Sequence, residues 1–486
     1  HAGPRLYGIR PFTYVHSNQA MDLTTAIEMD SKKLLNLALQ QGGDYADLYM
    51  QQTTFHSIVL RDGEVNAAST HNEGGLGIRV VSGQNTGYAY TESTLPRDRE
   101  EAARTASYIA QGLIRRTKPA PIATLNLPDR YRIVRPWEGF SPQEKMPFLY
   151  DLNERIFSAD KRVEKVTAQL SDATSHIECY NSLGIHCSDI RPMASLSVTC
   201  VMESGGQRES ASASRSFRMG GEFLHSAMIR ELAQEVLDRT SFLFGAKQPN
   251  GGEMPVVMAA GGSGILLHEA IGHAFEADFA RKKVSIFSDK MGQRICNPGI
   301  TVIDDGTIPC NRGALNVDDE GVPGQKTYMV TDGILTSFLH DRISAGYFHT
   351  EPTGNGRRES FRCMPLPRMR ATYMDNGRDT EEALIASVKK GLYVDTFSNG
   401  QVQIGAGDFT FYVKSGYLIE NGKLTQPIKD TNIIGNGPEA LARITGVANN
   451  CIIDNGTWTC GKGQTCAVSC GMPSVLVASL TVGGRV

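Results

Sequence analysis

Three dipeptides, Asp62-Gly63, Asp332-Gly333 and Asn421-Gly422, each interrupt a pair of strand-like runs. They favour the two-residue type I′ turn, because Asn, Asp and Gly tolerate the positive φ angles that this turn requires. A turn of two residues joins neighbouring strands in antiparallel order. The sequence therefore predicts an α+β fold built on antiparallel sheet and disfavours a doubly wound parallel fold.

The chain has 486 residues, which is too long for one hydrophobic core. Its clearest break is the Gly- and Pro-rich segment GAKQPNGGEMP, which directly follows Phe244. We therefore predict an N-terminal extension at 1–30, a mixed α/β domain at 31–245, and an antiparallel β-rich domain at 246–486 that carries the motif helix described below.

Helical patterns are few and short. In the first domain, residues 96–116 have helical periodicity, and Ser141, Pro142 and Glu144 form the start signal known as a capping box. In the second domain we expect two helices, one carrying the motif below and one at 380–391. The remainder is predicted to be strand and turn.

Composition excludes several classes of protein. With 40% hydrophobic and 21% charged residues, the chain has the composition of a soluble globular protein. The formal net charge of −3 predicts no direct nucleic-acid partner. No apolar stretch approaches the ~18 residues that span a bilayer, so we expect no membrane partner.

The ten cysteines are too sparse for a disulfide scaffold, and none form a Cys-x-x-Cys pair. Reduced, mostly buried thiols are therefore expected. Cys179 and Cys187 flank a turn, and their pairing in an exported protein stays open. We expect a cytoplasmic protein, with removal of an export signal before His1 as the open alternative.

The stretch GGSGILLHEAIGHAFEAD, at 261–278, carries His268, Glu269 and His273 in the order His-Glu-x-x-x-His. Strand, glycine loop and helix also suggest a dinucleotide-binding turn. That fingerprint fails, because its third small residue falls on Leu267. The familiar zinc-peptidase motif has one residue fewer between its histidines.

The spacing of the two histidines makes a structural prediction. Each α-helical residue turns by ~100°, which places His268 and His273 ~140° apart, too far to share one ion easily. One π-type turn brings residues five apart back to about one revolution. We therefore predict a π turn between them, relaxed by Gly272.

Two ordinary buried histidines are the alternative interpretation. Glu269 argues for a metal site, because a carboxylate on an apolar helix is costly to bury unpaired and a cation would partner it. Catalytic zinc needs a third protein ligand. Cys460, Cys466 and Cys470 are the candidates: Cys460 lies in a turn near Lys462, which could lower its pKa, and the other two lie in an apolar run.

The chain resembles the TldD/PmbA metalloproteases, once described as modulators of DNA gyrase, and is more similar to the TldD branch. HEAIGHAFEAD resembles the signature of that family. Roughly residues 44–486 are similar, in the runs ADLYMQQ, GLGIRVVSGQNTGYAY, VIDDGTIP, VDDEGVPGQ, TGNGRRES, LPRMRATYM, LIENGKL, CGKGQ and LTVGG.

The resemblance implies that His268, His273 and Cys460 bind one catalytic Zn²⁺ per chain and that Glu269 activates the zinc-bound water. It also implies cleavage of small or unfolded peptides, and a homodimer or a heterodimer with a related subunit, with the first domain shaping substrate access and dimer contacts. The alternative function is a non-catalytic interaction subunit of such a protease complex. Direct DNA binding has only the older family name in its favour.

Arg357 and Arg358, in GNGRRES, are candidates for a clamp on the peptide, with a structural salt bridge as the alternative. Glu276 or Asp278 is a candidate for orienting a ligand imidazole, with simple solvent exposure as the alternative.

Overall fold

A computed structural model describes residues 30–111, 117–403 and 406–483. The predicted extension at 1–30 lies outside this range except for its last residue. None of the described helices has the length and apolar character needed to cross a bilayer. The described chain combines helices with two seven-stranded sheets, one six-stranded sheet and two small two-stranded sheets, which confirms the predicted α+β class.

The first seven-stranded sheet extends through residues 45–217. Its strands run in the order β3-β2-β1-β5-β6-β4, with β7 beside β6, and all pairs are antiparallel except β4–β6. The elements of this part are α1 (30–38), β1 (Tyr45–Arg61), β2 (Glu64–Ser82), β3 (Asn85–Thr91), α2 (Pro96–Ile109), β4 (Ala123–Thr124), α3 (Pro142–Ala159), β5 (Val163–Asn181), β6 (Ile185–Ser204), β7 (Gln207–Phe217) and α4 (Ser226–Phe242).

Two apolar clusters hold the helices on this sheet. Helices α3 and α4 bury residues such as Leu149 and Leu232 against β5, β6 and β7, and α1 and α2 bury residues such as Leu34 and Ala103 against β1 and β2. Helix α3 begins as predicted, because Glu144 Oε2 accepts a hydrogen bond from Ser141 N at 2.9 Å. Helix α2 ends at Ile109, and residues 112–116 of the predicted helix lie outside the described range.

The second half contains most of the short strands. They are β8 (Gly252–Met258), β9 (Val302–Asp305), β10 (Lys326–Thr331), β11 (Ile334–Leu335), β12 (Gly356–Arg357), β13 (Leu366–Pro367), β14 (Ala371–Met374), β15 (Lys390–Val402), β16 (Asp408–Glu420), β17 (Lys423–Ile428), β18 (Thr431–Asn436), β19 (Ile444–Val447), β20 (Ile452–Asp454), β21 (Thr459–Gly461), β22 (Thr465–Ala467), β23 (Ser469–Met472) and β24 (Val475–Gly483). The α-helices are α5 (Gly264–Leu266), α6 (Ala277–Arg281), α7 (Arg342–Phe348), α8 (Glu381–Ser387) and α9 (Gly437–Ala442).

Five of these strands close into a barrel in the order β15-β8-β24-β18-β16, because β16 pairs with both β18 and β15. A six-stranded sheet, β11-β10-β9-β14-β23-β20, packs beside it. The motif segment contributes Leu266, Leu267 and Ile271 to a core that also contains Met258 of the barrel and Met374 of the second sheet. The motif is thus held between two sheets, and this distribution supports the predicted division near residue 245, which we retain as a proposal.

The expectation of antiparallel pairing is confirmed for most strands, with two parallel pairs in this half, β8–β15 and β14–β23. These partners are far apart in sequence, so no hairpin fixes their relative direction. Short helices α6, α7 and α9 are additions to the two that the sequence predicted. They have five to seven residues each, which is too short for a clear periodic pattern.

All three dipeptide turns form as predicted. Both residues have positive φ in each: 51° and 83° at Asp62-Gly63, 48° and 79° at Asp332-Gly333, and 50° and 76° at Asn421-Gly422. They join β1 to β2, β10 to β11 and β16 to β17.

We expect Gly333→Ala to lower the free energy of unfolding more than Gly63→Ala does. Both changes place an L side chain in the left-handed region, which costs roughly 1–2 kcal/mol. At Gly333 a Cβ would also lie 2.5 Å from Cys296 O, whereas at Gly63 the nearest atom is Asn153 Nδ2 at 3.4 Å. Thermal unfolding of the two variants beside the wild type measures the difference, and equal shifts would contradict the steric argument.

Candidate metal centre

The motif helix changes its winding between the two histidines. After β8 the chain forms one α-helical turn at Gly264–Leu266, a π-helix at Leu267–Ile271, and a 3₁₀ turn at Gly272–Phe275. The π turn predicted from the spacing is therefore confirmed. It brings the rings of His268 and His273 to the same side, with their centroids 5.4 Å apart.

Gly272 has a different role from the predicted one. Its torsions are ordinary for a helix, with φ −60° and ψ −41°, and the departure falls on Ile271, with φ −127°. A Cβ at Gly272 would instead overlap Met369 Sδ. The glycine therefore provides the space that lets the motif segment pack against the chain just before β14.

The third side chain comes from the C-terminal hairpin β21–β22. Cys460 lies on β21 with its Sγ 3.5 Å from His273 Nε2. Arg368 holds this hairpin, because its guanidinium donates to Cys460 O at 2.8 Å and to Gln464 O at 3.0 Å. The sequence by itself indicates no role for Arg368. No local pattern signals it, since its acceptors are backbone carbonyls more than 90 residues away.

The structure brings together the three predicted ligands. One ligand atom each of His268, His273 and Cys460 lies within 4.8 Å of the others, and all three side chains are buried. With typical zinc bond lengths, tetrahedral ligand atoms lie about 3.4–3.6 Å apart, which is close to the observed sulfur–nitrogen separation. Both ring nitrogens of His268 are buried without a hydrogen-bond partner among the described residues. A cation would satisfy such a nitrogen, so the donor set fits zinc.

The electrostatics of the group favour the ionised form of Cys460. Burial tends to raise the pKa of the Cys460 thiol, but its interactions with His268 and then His273 outweigh burial and lower the pKa to about 5. Burial lowers the pKa of His273, but the charges of Glu276 and Cys460 raise it to about 10. These shifts favour a thiolate at Cys460, the form that binds metals, whereas His273 would have to lose a proton to bind one.

A second layer of charges orients His273. Its Nδ1 lies 2.9 Å from Glu276 Oε2, and Lys462 Nζ lies 3.0 Å from the same oxygen and 2.7 Å from Asp278 Oδ1. Burial tends to raise the pKa of Glu276, but Lys462 and then His273 lower it to about 2. Glu276 therefore has the orienting role that the sequence left open between it and Asp278. Lys462, expected to act on the thiol of Cys460, pairs with these two carboxylates.

Glu269 lies at the edge of the group, where water can reach it. Its Oε1 is 4.0 Å from His268 Nε2 and its Oε2 is 3.9 Å from His273 Nε2, and 28% of its side chain is exposed. Of His268, Glu269 and His273, Glu269 is the one that contacts solvent, and it lies beside two buried imidazoles.

The other candidates lie outside the group. Cys466 is opposite Cys460 on β22 and accepts a hydrogen bond from Arg368, and Cys470 lies on β23.

The two arginines proposed as a peptide clamp also lie outside the group. Arg357 donates to Ala467 O, and Arg358 is within 3.5 Å of Asp47 Oδ1. Both arginines are buried among internal partners, so Arg358 forms the structural salt bridge given as the alternative.

Cys179 and Cys187 lie opposite each other on β5 and β6, both as free buried thiols. The expectation of reduced cysteines agrees with this state.

Two buried imidazoles, a buried thiolate and an adjacent exposed carboxylate form an arrangement typical of metal-dependent hydrolases. Models of one family match most of the chain: PmbA/TldA metallopeptidase domain 1 at residues 46–110, the central domain at 135–241 and the C-terminal domain at 251–484.

Known relatives agree with these matches. The "Metalloprotease TldD homolog" of Haemophilus influenzae is 37% identical over 475 residues, which are 95% of this chain and 98% of that protein. The "Zinc metalloprotease TldD homolog" of Saccharolobus solfataricus is 27% identical over 93% of this chain and 100% of that protein. A Thermotoga maritima crystal structure, described as a candidate modulator of a DNA gyrase, has the same fold with a TM-score of 0.77 and 22% identity, covering 94% of this chain and 100% of that one.

The chain therefore belongs to the PmbA/TldD metallopeptidase family, and the resemblance drawn from its motifs is confirmed.

We expect Cys460→Ala to lose bound zinc and Cys466→Ala to keep it. The two cysteines are neighbours across one hairpin, but only Cys460 lies with the histidines. Zinc per chain, measured by elemental analysis after dialysis, compares the variants with the wild type. Equal zinc in the two variants would remove Cys460 from the ligand set.

We expect Glu276→Gln to weaken zinc binding about 10–100-fold, the usual effect of losing a carboxylate that orients a ligand histidine. Asp278→Asn is the matched control, because Asp278 contacts Lys462 but not His273. Competition with a chelator measures both affinities. A larger effect from Asp278→Asn would show that Lys462, and not the imidazole contact, controls the site.

Proposed function

We propose that this protein is a zinc-dependent metallopeptidase that hydrolyses peptide bonds in small or unfolded peptides. His268, His273 and Cys460 bind one Zn²⁺ per chain, and Glu269 acts as the general base. The observation that carries the proposal is the convergence of three buried ligand side chains beside a solvent-exposed carboxylate. Membership of a metallopeptidase family supports it, as does the name of the Saccharolobus solfataricus relative.

The donor set favours zinc over harder cations, because thiolate and imidazole are the ligands that zinc prefers. When bound, Zn²⁺ acts as a Lewis acid that polarises the scissile carbonyl and lowers the pKa of water. Three protein ligands are the number found at catalytic rather than structural zinc sites. The chain's own contribution is to hold these ligands in place, through the π turn for the histidines and the β21–β22 hairpin for Cys460.

Glu269 moves the proton in this proposal. Its carboxylate takes a proton from the attacking water and delivers it to the nitrogen of the leaving amine. Glu276 accepts the Nδ1–H of His273, which leaves Nε2 of that ring directed at the ligand group. Lys462 keeps Glu276 ionised, so this orientation persists while Glu269 changes its protonation state.

We further propose that the protein works in the cytoplasm as a homodimer or as a heterodimer with a related TldD/PmbA-type subunit. The solved structure of TldE from Thermococcus kodakarensis shares the fold with a TM-score of 0.72 at 20% identity, covering 94% of this chain and 100% of that one. A subunit with the same fold is the partner that we propose for the heterodimer. Size-exclusion chromatography of the protein alone and mixed with such a subunit distinguishes the two assemblies.

The alternative is a non-catalytic interaction subunit whose partner cuts the peptide. An intact ligand group with an adjacent carboxylate argues against it, because a scaffold needs none of these residues. That alternative predicts no stoichiometric zinc.

We expect Glu269→Gln to retain zinc and to lose cleavage of a peptide library by about 10²–10⁴-fold, the usual contribution of a general base. Glutamine keeps the size of the side chain but does not accept the proton. Elemental analysis and a mass-spectrometric digest compare the variant with the wild type. Equal cleavage by the two proteins would favour the interaction subunit.

A further inference from the structure

A cavity of about 330 Å³ lies where the first sheet meets the C-terminal half of the chain. Its walls include Ser171 and Ser195 from β5 and β6 on one side, and Arg312, Thr457 and Thr459 on the other. Thr459 directly precedes the ligand Cys460 on β21. The cavity therefore adjoins the strand that carries the candidate metal thiolate, and residues of both halves of the chain form it.

Arg312 is a buried cation without an acidic partner. Its guanidinium donates to Trp458 O at 2.7 Å, to Ser216 Oγ at 2.7 Å and to Thr459 Oγ1 at 3.2 Å, all of which are uncharged acceptors. In the part of the chain that the structure describes, no carboxylate forms an ion pair with it. Burying an unpaired charge is costly, so a site of this kind calls for an anion from outside.

Other buried cations lie near Arg312, and they make its uncompensated charge more costly. Burial first, and then the nearby charges of Arg218 and Arg357, together lower the pKa of Arg312 to about 10. Both neighbours are also buried, and their donors reach only backbone carbonyls among the described residues, Pro192 O for Arg218 and Met369 O and Ala467 O for Arg357. Arg218 and Arg357 therefore add positive charge near Arg312, and Asp189 acts on Arg218.

Among the described residues of the cavity wall, one carboxylate occurs, that of Asp172, and its charge is compensated by other side chains. Its Oδ2 lies 2.6 Å from Lys145 Nζ and its Oδ1 lies 2.9 Å from His56 Nδ1. Asp172 therefore does not compensate Arg312. Hydroxyl groups of Ser195 and Thr459, within 3.3 Å of the guanidinium, offer additional donors to an anion bound there.

We propose that this cavity binds a carboxylate of the peptide substrate through Arg312, and that this contact sets which peptides are cleaved. The inference rests on the proposed peptidase function. Arg312 donates four of its five N–H groups to neutral acceptors, so a bound carboxylate would accept the remaining Nη2–H in a charge-assisted hydrogen bond. Thr459 and Cys460 are consecutive on β21 and face opposite sides of it, so a carboxylate held at Thr459 would anchor the peptide on the hairpin that carries the ligand thiol. The carboxylate belongs either to the C-terminus of the peptide or to an acidic side chain.

Two matched peptide pairs test the proposal and distinguish these sources. One pair differs only in a free C-terminal acid or its amide, and the other in Glu or Gln at one internal position. We expect the wild type to cleave the charged member of one pair with a kcat/KM at least about tenfold higher, the usual effect of a charge-assisted hydrogen bond. In Arg312→Gln the ratio within that pair should fall to about one, and Arg312→Lys should restore part of it.

Equal cleavage within both pairs by the wild type would overturn the proposal, as would an unchanged preference in Arg312→Gln. A binding measurement separates this failure from that of the peptidase. Fluorescence anisotropy with the same peptides on Glu269→Gln protein records their affinity without cleavage. If the protein binds the charged peptide more tightly in an Arg312-dependent way but the wild type cleaves neither peptide, the carboxylate site is retained and the peptidase function is rejected. If the wild type cleaves both peptides without preference, the peptidase function is retained and the carboxylate site is rejected.

A variant that gives Arg312 a carboxylate partner within the chain controls for loss of function through misfolding. Ser195→Asp places a carboxylate within reach of Arg312, and we expect it to raise the melting temperature and remove the preference for charged peptides. Ser204→Asp adds the same charge at the exposed end of the same strand, and we expect it to change neither property. A lower melting temperature for Ser195→Asp together with an unchanged preference would contradict the proposal.

Discussion

The contact between Cys460 and His273 joins the motif segment to the β21–β22 hairpin, and the surrounding structure holds these two elements in place. The imidazole is placed by a π turn in a segment packed between the barrel and the six-stranded sheet. The thiolate is placed by a short hairpin that Arg368 fixes through backbone carbonyls. The motif segment also packs closely on Met369 at Gly272, where a Cβ would overlap the methionine sulfur. The need to bring the Cys460 sulfur close to the His273 ring therefore accounts for the π turn of the motif helix and for the separate β21–β22 hairpin.

Charge is handled in two contrasting ways in this region. Around His273, each buried charge has a partner: Glu276 contacts the imidazole and Lys462, and Lys462 also contacts Asp278. Such a chain of pairs compensates the buried charges and holds the ring in one orientation. Around Arg312, the described chain provides only neutral acceptors. The ion pairs around His273 are suited to a fixed structural role, and the uncompensated charge of Arg312 is suited to reversible binding of an anionic ligand.

Hydrophobic packing explains why the site tolerates this concentration of polar groups. The motif segment places Leu266, Leu267 and Ile271 in the main core, so its backbone is anchored on one side while the histidines face the other. The irregular winding is thus stabilised by burial of apolar side chains and not by the polar group itself. Cross-strand pairing in the barrel and in the six-stranded sheet makes the two walls of the site rigid.

Local patterns in the sequence determined the hairpin turns, the capping box of α3 and the π turn, because each depends on the backbone torsions of a few consecutive residues. They also marked His268, Glu269 and His273, which lie within six positions. Spacing alone left three cysteines as possible third ligands, and only the family resemblance selected Cys460, 187 residues from His273.

Tertiary structure alone decided the partners of Lys462, the role of Arg368, the torsion carried by Ile271 and the parallel pairs β8–β15 and β14–β23. It also revealed Arg312 as an unpaired buried cation, since no sequence pattern shows which arginine lacks a carboxylate. The physical reason is the same in each case. These features depend on which distant segments the packed sheets bring within a few ångströms of each other, and a local run of residues does not predict that distance.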